Sequence, residues 1–265
     1  MKSRTLVNFI AAAILCVASA AVARAQDFQR SYNLGPNGSI NIENVSGDVN
    51  IKGYDGSAVE VTAFKEGPDR NEVEVEDLSG GSRVELRAKY PRNCNCDASI
   101  RFEVRVPRSV GFDFDKISTA SGNVSAEGVS GKMHLSTASG NVTLQGVGGD
   151  IHASSASGSV RVREAAGTVN ASTASGDVDV ELTRLEGAGD LRFSSASGNV
   201  HVRLPASVDA DVDMSTASGD IETNFPVEVK EDNDGSGKHA RGRLGSGSRL
   251  LRISSASGDL SLKRI

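Results

Sequence analysis

Residues 118–180 read STASGNVSAEGVSGKMHLSTASGNVTLQGVGGDIHASSASGSVRVREAAGTVNASTASGDVDV. Two periods run through this stretch. A box of Ser, Ser or Thr, Ala, Ser, Gly, a small polar residue and an aliphatic residue starts at Ser118, Ser136, Ser154 and Ser172, 18 residues apart. Within it, Gly122, Gly131, Gly140, Gly149, Gly158, Gly167 and Gly176 keep a spacing of nine. Each glycine and its polar successor lead into an alternating segment, such as Val142-Thr-Leu144, Val160-Arg-Val162 or Val178-Asp-Val180. Alternation with β-branched residues marks short strands with one buried face. Glycine beside Asn, Asp or Ser supplies the positive φ of tight turns. Each nine-residue unit therefore reads as one strand and one turn.

Working outward, the box recurs at Ser194, Ser215 and Ser254, after spacings of 22, 21 and 39, so insertions enter late. Such repeats decide architecture before any other feature. A strand with one apolar face must bury it against another sheet. An 18-residue coil with a strand on each of two sheets supplies that partner inside every repeat, and equivalent strands then stack ~4.8 Å apart. An antiparallel meander has the same beat but leaves its apolar face bare unless the N-terminal region covers it. The expected fold is all-β: a β-solenoid, parallel β-helix-like, with two strands per 18-residue coil and a β-rich N-terminal cap. Gly122, Gly140, Gly158, Gly176, Gly198, Gly219 and Gly258 are its structural turn glycines. Ala120, Ala138, Ala156, Ala174, Ala196, Ala217 and Ala256 are expected to point inward at a narrow corner. The flanking hydroxyls would bond turn backbone or stack as ladders between coils.

Three segments follow. Residues 1–25 have the layout of a signal peptide: Lys2 and Arg4, an apolar run from Leu6 to Ala23, and an Ala23-Arg24-Ala25 cleavage site. The run is short for a spanning helix. Leu15 before Cys16 argues against a lipid-modified cysteine. Residues 26–117 form the cap region, with alternating strands such as Ser39–Glu43 and Ile100–Val106, and with Val45-Ser-Gly-Asp-Val49 as a worn copy of the box. Residues 118–265 are the repeat region, with a polar, Gly-rich loop near 231–248. The mature chain is expected to be exported to the periplasm, cell surface or medium, to lack a transmembrane segment, and to be a monomer.

Cleavage removes Lys2, Arg4 and Arg24 from 29 basic residues while all 34 acids stay, so the mature chain is acidic. That disfavours nucleic acid and anionic lipid as partners. The chain has no Trp and 3 Tyr, which gives little support to stacking on sugar rings. Cys94-Asn95-Cys96 reads as a local disulfide in an oxidising compartment, with free thiols or a metal or redox role as alternatives. Asp232-Asn-Asp234-Gly235 has only the opening of a calcium loop and lacks its closing Glu. His134 and His152 fall one coil apart and could stack, but two imidazoles do not complete a metal site. Asp179, His201 and Glu222 fall in one outward column, read as a weak surface ladder. Asp177, Asp220 and Asp259 occupy the place of Asn123, Asn141 and Asn199, which suits a turn role rather than catalysis. No P-loop, Rossmann fingerprint, H-E-x-x-H or nucleophile elbow occurs. No cofactor, metal or catalytic residue is assigned.

The STASGDV-type box, the Gly-Asp/Asn-Val strand starts and the Gly245-Ser-Gly247 approach to the last copy resemble the bacterial putative-adhesin family over about residues 37–265. That resemblance implies an exported or membrane-associated β-repeat domain. It names no ligand, carries over no functional residue and does not account for the Cys94-Asn95-Cys96 loop. The expectation is an exported, non-enzymatic scaffold for adhesion or cell-envelope interaction, whose partner is an envelope or extracellular protein or glycan. The alternatives are a polysaccharide-acting β-helix enzyme and a periplasmic accessory or sensor subunit.

Overall fold

Val, Ile and Leu alternate with polar residues through most of the chain, and the computed structural model pleats them as the alternation requires. It describes residues 27–93, 95–231 and 237–265. The predicted signal peptide and the Asp232–Gly235 motif lie outside these residues. The strands, in chain order, begin with β1 (Phe28–Tyr32), β2 (Ser39–Glu43), β3 (Val49–Tyr54), β4 (Val59–Glu66), β5 (Glu74–Asp77), β6 (Arg83–Lys89) and β7 (Ser99–Pro107). The repeats supply β8 (Phe112–Ser121), β9 (Val124–Glu127), β10 (Ser130–Ser139), β11 (Val142–Gln145), β12 (Gly148–Ser157), β13 (Val160–Ser175), β14 (Val178–Arg184), β15 (Leu191–Ser197) and β16 (Val200–Leu204). The last are β17 (Ala210–Ser218), β18 (Ile221–Thr223), β19 (Glu228–Glu231), β20 (Lys238–Leu244), β21 (Leu250–Ser257) and β22 (Leu260–Arg264).

Equivalent strands of successive repeats pair in parallel. Ser136 lies opposite Ser154, Ser154 opposite Ser172, and Val142 opposite Val160, each 18 residues on. This register belongs to a solenoid and not to a meander. Two sheets result. The box sheet runs β5–β6–β2–β8–β10–β12–β13–β15–β21–β17–β20–β19. The second sheet runs β1–β4–β7–β3–β9–β11–β13–β14–β16–β22–β18. β13 serves both, bending between them at Glu164, where φ is 53°.

The stacking order departs from chain order at both ends. β2 and β3 lie between the β6/β7 coil and the β8/β9 coil, so residues 39–54 form a full coil within the cap region. β21 and β22 likewise sit between the β15/β16 coil and the β17/β18 coil. Antiparallel strands then close the stack, with β1, β4 and β5 at one end and β19 and β20 at the other. β19 is exposed throughout and carries Glu228, Lys230 and Glu231, charges that blunt an open sheet edge.

The core is the seam between the sheets. Val142, Val160, Val178 and Val200 on the second sheet and Ile151, Val169 and Leu191 on the box sheet are fully buried. Burying one such side chain stabilises the fold by about 1.5–3 kcal/mol. Larger groups gather where coils are less regular: Phe102, Phe112, Phe114 and Phe193 are also buried, with the rings of Phe112 and Phe114 edge-on at 6.3 Å.

Candidate functional site

The box is organised by which side of the strand each residue takes. Leu135 faces the core, and β10 continues extended to Ser139, so Thr137 faces in and Ala138 faces out. The same phase holds in every copy. Thr119, Thr137, Ser155, Thr173, Ser195, Thr216 and Ser255 are buried. Ala120, Ala138, Ala156, Ala174, Ala196, Ala217 and Ala256 are exposed, which corrects the inward placement expected for them. The strand does not break at the box, so period two overrides the apolar character of alanine.

Each inward hydroxyl donates to a glycine carbonyl of the adjoining coil. Thr137 reaches Gly122 O at 2.8 Å, Ser155 reaches Gly140 O at 2.8 Å and Thr173 reaches Gly158 O at 2.7 Å. Ser195, Ser255 and Thr216 continue the file to Gly176 O, Gly198 O and Gly258 O at 2.8, 3.0 and 2.9 Å. At the other end Thr119 donates to Gly47 O at 3.0 Å. Asn44, in the worn copy, takes over the task with its Nδ2 on Ile100 O at 2.7 Å. The glycines themselves answer to crowding between coils. A Cβ on Gly140 would lie 1.9 Å from Gly122 O, and one on Gly158 would lie 2.0 Å from Gly140 O. Gly122, Gly176, Gly198, Gly219 and Gly258 meet the same obstacle, a neighbouring carbonyl within 2.4 Å.

The residue after the glycine forms a second file. Its side-chain oxygen accepts the backbone N–H of its counterpart one coil on: Asp48 from Asn123, Asn123 from Asn141, and Asn141 from Ser159, at 2.7–3.0 Å. Asp177 accepts from Asn199, Asn199 from Asp259, and Asp259 from Asp220, at 2.8–2.9 Å. The position asks only for a short acceptor, so Asn, Asp and Ser interchange there.

Outward residues form columns. The rings of His134 and His152 stack with centroids 4.7 Å apart and planes 9° from parallel. Parallel rings send their in-plane lone pairs alongside one another rather than toward a shared ion, and among the described residues no group of three or more His, Cys, Asp or Glu is placed to hold a metal. Asp179 lies opposite His201, but Ser261 separates His201 from Glu222. Asp179 instead joins a four-residue ion network that spans three coils: Arg163 at 2.5 Å and Arg203 at 3.3 Å from Asp179, with Arg203 3.0 Å and Arg163 3.6 Å from Glu181. Beside these columns the mostly half-buried outward Ser and the exposed Ala of the box make a flat strip. Over the later copies it lies in a shallow groove of about 860 Å³, closed at one end by Lys238 and His239.

A family model matches residues 38–263 of this chain. The chain belongs to the Toastrack DUF4097 family. The Toastrack fold is the β-solenoid described above, and the bacterial putative-adhesin resemblance read from the box stands with it. The solved structures to which the chain is similar include a putative adhesin from Bacteroides fragilis, at 14% identity, TM-score 0.39, covering 90% of this chain and 96% of that one. Another is a putative adhesin from Parabacteroides distasonis, at 13% identity, TM-score 0.38, covering 88% and 96%. A third is a putative cell adhesion protein from Clostridium sporogenes, at 14% identity, TM-score 0.33, covering 90% and 99%. No curated protein matches the chain.

In this Toastrack chain Cys96 is half-buried and disulfide-bonded, and Cys94 lies outside the described residues. No helix among the described residues is long and apolar enough to cross a membrane. Three features escaped the sequence reading. Asn44 was legible by laying Glu43–Val49 over Ser118–Val124, which puts it at the inward hydroxyl position. Arg163, Glu181 and Arg203 fall at one strand position 18 and 22 residues apart and could have been paired. Asp209, which holds the loop 246–248, gave no local signal, because its partners lie 37–39 residues further on, inside the long excursion between the boxes at Ser215 and Ser254.

Proposed function

We propose that this protein is an exported, non-enzymatic scaffold that makes adhesive contacts in the cell envelope through the outer wall of its box sheet. The observation that carries the reading is internal to the repeats. Outward positions elsewhere change along the stack, as from His134 and His152 to Asn170, then Arg192 and Arg252, then Asp213. The outward Ser and Ala of the box stay the same in all seven copies. The inward hydroxyl, the glycine and the acceptor after it are occupied by bonds and packing between coils. The outward pair is not needed for those, so its sameness supports a role in outside contact. A flat wall of short side chains lets a partner approach over many coils without a collision. The disulfide at Cys96 fits an oxidising compartment.

The test is adhesion itself. Cells of the source bacterium are fractionated to locate the chain, and beads coated with residues 26–265 are scored for attachment to those cells. Ala174→Glu and Ala196→Glu, placed on the strip, are expected to abolish attachment while melting like the parent chain. Ser125→Glu on the other sheet is expected to leave it intact. A chain confined to the cytoplasm, or strip variants that attach as well as the parent, would contradict the proposal.

A further inference from the structure

The last coil does not lie at the end of the stack. β21 and β22 are hydrogen-bonded to β15 and β16 on one side and to β17 and β18 on the other, although β17 and β18 precede them in the chain. The two boundaries of this slot are chemically alike. Ser255 donates to Gly198 O at 3.0 Å on one side, and Thr216 donates to Gly258 O at 2.9 Å on the other. The N–H of Asp259 meets Asn199 Oδ1 at 2.9 Å, and the N–H of Asp220 meets Asp259 Oδ1 at 2.8 Å. A Cβ on Gly258 would meet Gly198 O at 2.1 Å, and one on Gly219 would meet Gly258 O at 2.2 Å. Thr216, Gly219 and Asp220 thus present to the last coil the groups that the last coil presents to Gly198 and Asn199. With the last coil withdrawn, the β17/β18 coil can close directly on β15/β16 with the same set of bonds.

Entry to the slot is fastened from outside. Residues 245–249 carry the chain from β20 across the start of β17 to β21. Asp209 holds this crossover: its Oδ1 accepts the N–H groups of Gly247 at 2.6 Å and Ser248 at 3.1 Å, and its Oδ2 accepts the hydroxyl of Ser246 at 2.7 Å. Gly245 and Gly247 take φ of 65° and 76°, so the crossover turns at residues with wide backbone freedom.

We propose that the C-terminal coil, Leu250–Arg264, is an insertable element latched by Asp209, and that its slot accepts the same coil from a second copy of this chain, giving a reciprocally exchanged dimer. Both strands of the coil pair with its two neighbouring coils, and a second copy offers the same neighbours. Exchange of an identical element preserves the buried contacts, and only the crossover changes course. Extended, residues 245–249 reach about 17 Å. The proposal rests on the stacking order and is independent of the adhesive reading.

Cysteine trapping tests it. Ala196 and Ala256 are exposed neighbours across the slot boundary, because the residues on either side of each are paired. The double variant Ala196→Cys/Ala256→Cys is expected to close a disulfide within one chain; failure to close would overturn the placement of the coil. Chains carrying Ala196→Cys alone and Ala256→Cys alone are then mixed at high concentration below the melting temperature, oxidised, and analysed by mass spectrometry for the 196–256 peptide pair. Exchange predicts a mixed disulfide that grows with time and exceeds, by fivefold or more, that of a control mixture of Ala174→Cys and Ala256→Cys, which reports collisions. It also predicts faster growth when both chains carry Asp209→Ala. Mixed disulfide no greater than the control overturns the exchange, and this comparison in the parent background decides it even if Asp209→Ala fails to fold. Equal rates with and without Asp209 overturn the latch.

Discussion

Replacing Thr137 by Val keeps the shape of a buried side chain and deletes one hydroxyl. That hydroxyl donates to Gly122 O at 2.8 Å from a residue only 6% exposed. The carbonyl sits against Gly140 of the next coil. Leaving a buried acceptor unpaired costs about 1–3 kcal/mol. For a chain of this size each kcal/mol shifts the melting temperature by about 2–4 °C, so Thr137→Val should melt roughly 2–12 °C lower. Thr137→Ser should melt within about 2 °C of the parent, because Ser155, Ser195 and Ser255 already make the same bond. Combining Thr137→Val with Thr216→Val, several coils away, should add the two losses. Circular dichroism melts of the purified chains supply the numbers, and hydrogen exchange at the amides of Gly122 and Gly140 locates the loosened coil. A Thr137→Val chain as stable as the parent would refute the reasoning, since the hydroxyl file would then contribute nothing.

Gly158→Ala should cost about 3 kcal/mol or more, because its methyl group would lie 2.0 Å from Gly140 O and the stack must open to admit it; a chemical denaturation midpoint close to the parent's would contradict the close approach. The Ser246 hydroxyl, together with the Ser248 and Gly247 amides, holds the Asp209 carboxyl below its usual range. Its stabilising contribution is therefore present above the ordinary carboxylate pKa and is lost as pH falls through the lowered folded value. Asp209→Asn should accordingly melt below the parent at pH 7 and converge with it in acid, and a gap that widens toward low pH would reverse that sign. Glu181→Gln should cost under about 1 kcal/mol, because the ion network is partly exposed, and the loss should fade in 1 M salt; a salt-independent loss would show that the network acts by packing.

The fold was legible because its two determinants are local and repeated. The nine-residue glycine beat gave two strands per coil, though these run to ten and four residues in turn, and the 18-residue box gave the coil. Harder to read was the direction of each box residue. Alanine looked like core and threonine like surface, but the phase is set by Leu135 several residues earlier and runs unbroken to Ser139. The stacking order was hidden for a different reason. The boxes at Ser215 and Ser254 are nearly interchangeable, so sequence alone does not say which one stacks on Ser194. What decides is the excursion through β19 and β20: β20 pairs with β17, with β19 beyond it, and leaves only the other edge of β17 for β21. The surface strip was written plainly in the sequence, but its meaning depended on knowing which hydroxyls the fold consumes.

Spin labels on cysteines introduced at Ala120 and Ala217, both exposed, give the most direct test of the stacked coil. Passing Ala138, Ala156, Ala174, Ala196 and Ala256, the structure places six coil steps between them, about 29 Å at ~4.8 Å per step. Pulsed dipolar spectroscopy should return a single distance population near that value, broadened by the label arms. A population near ~50 Å, which ten or so successive antiparallel strands would set, would contradict the solenoid and every contact derived from it.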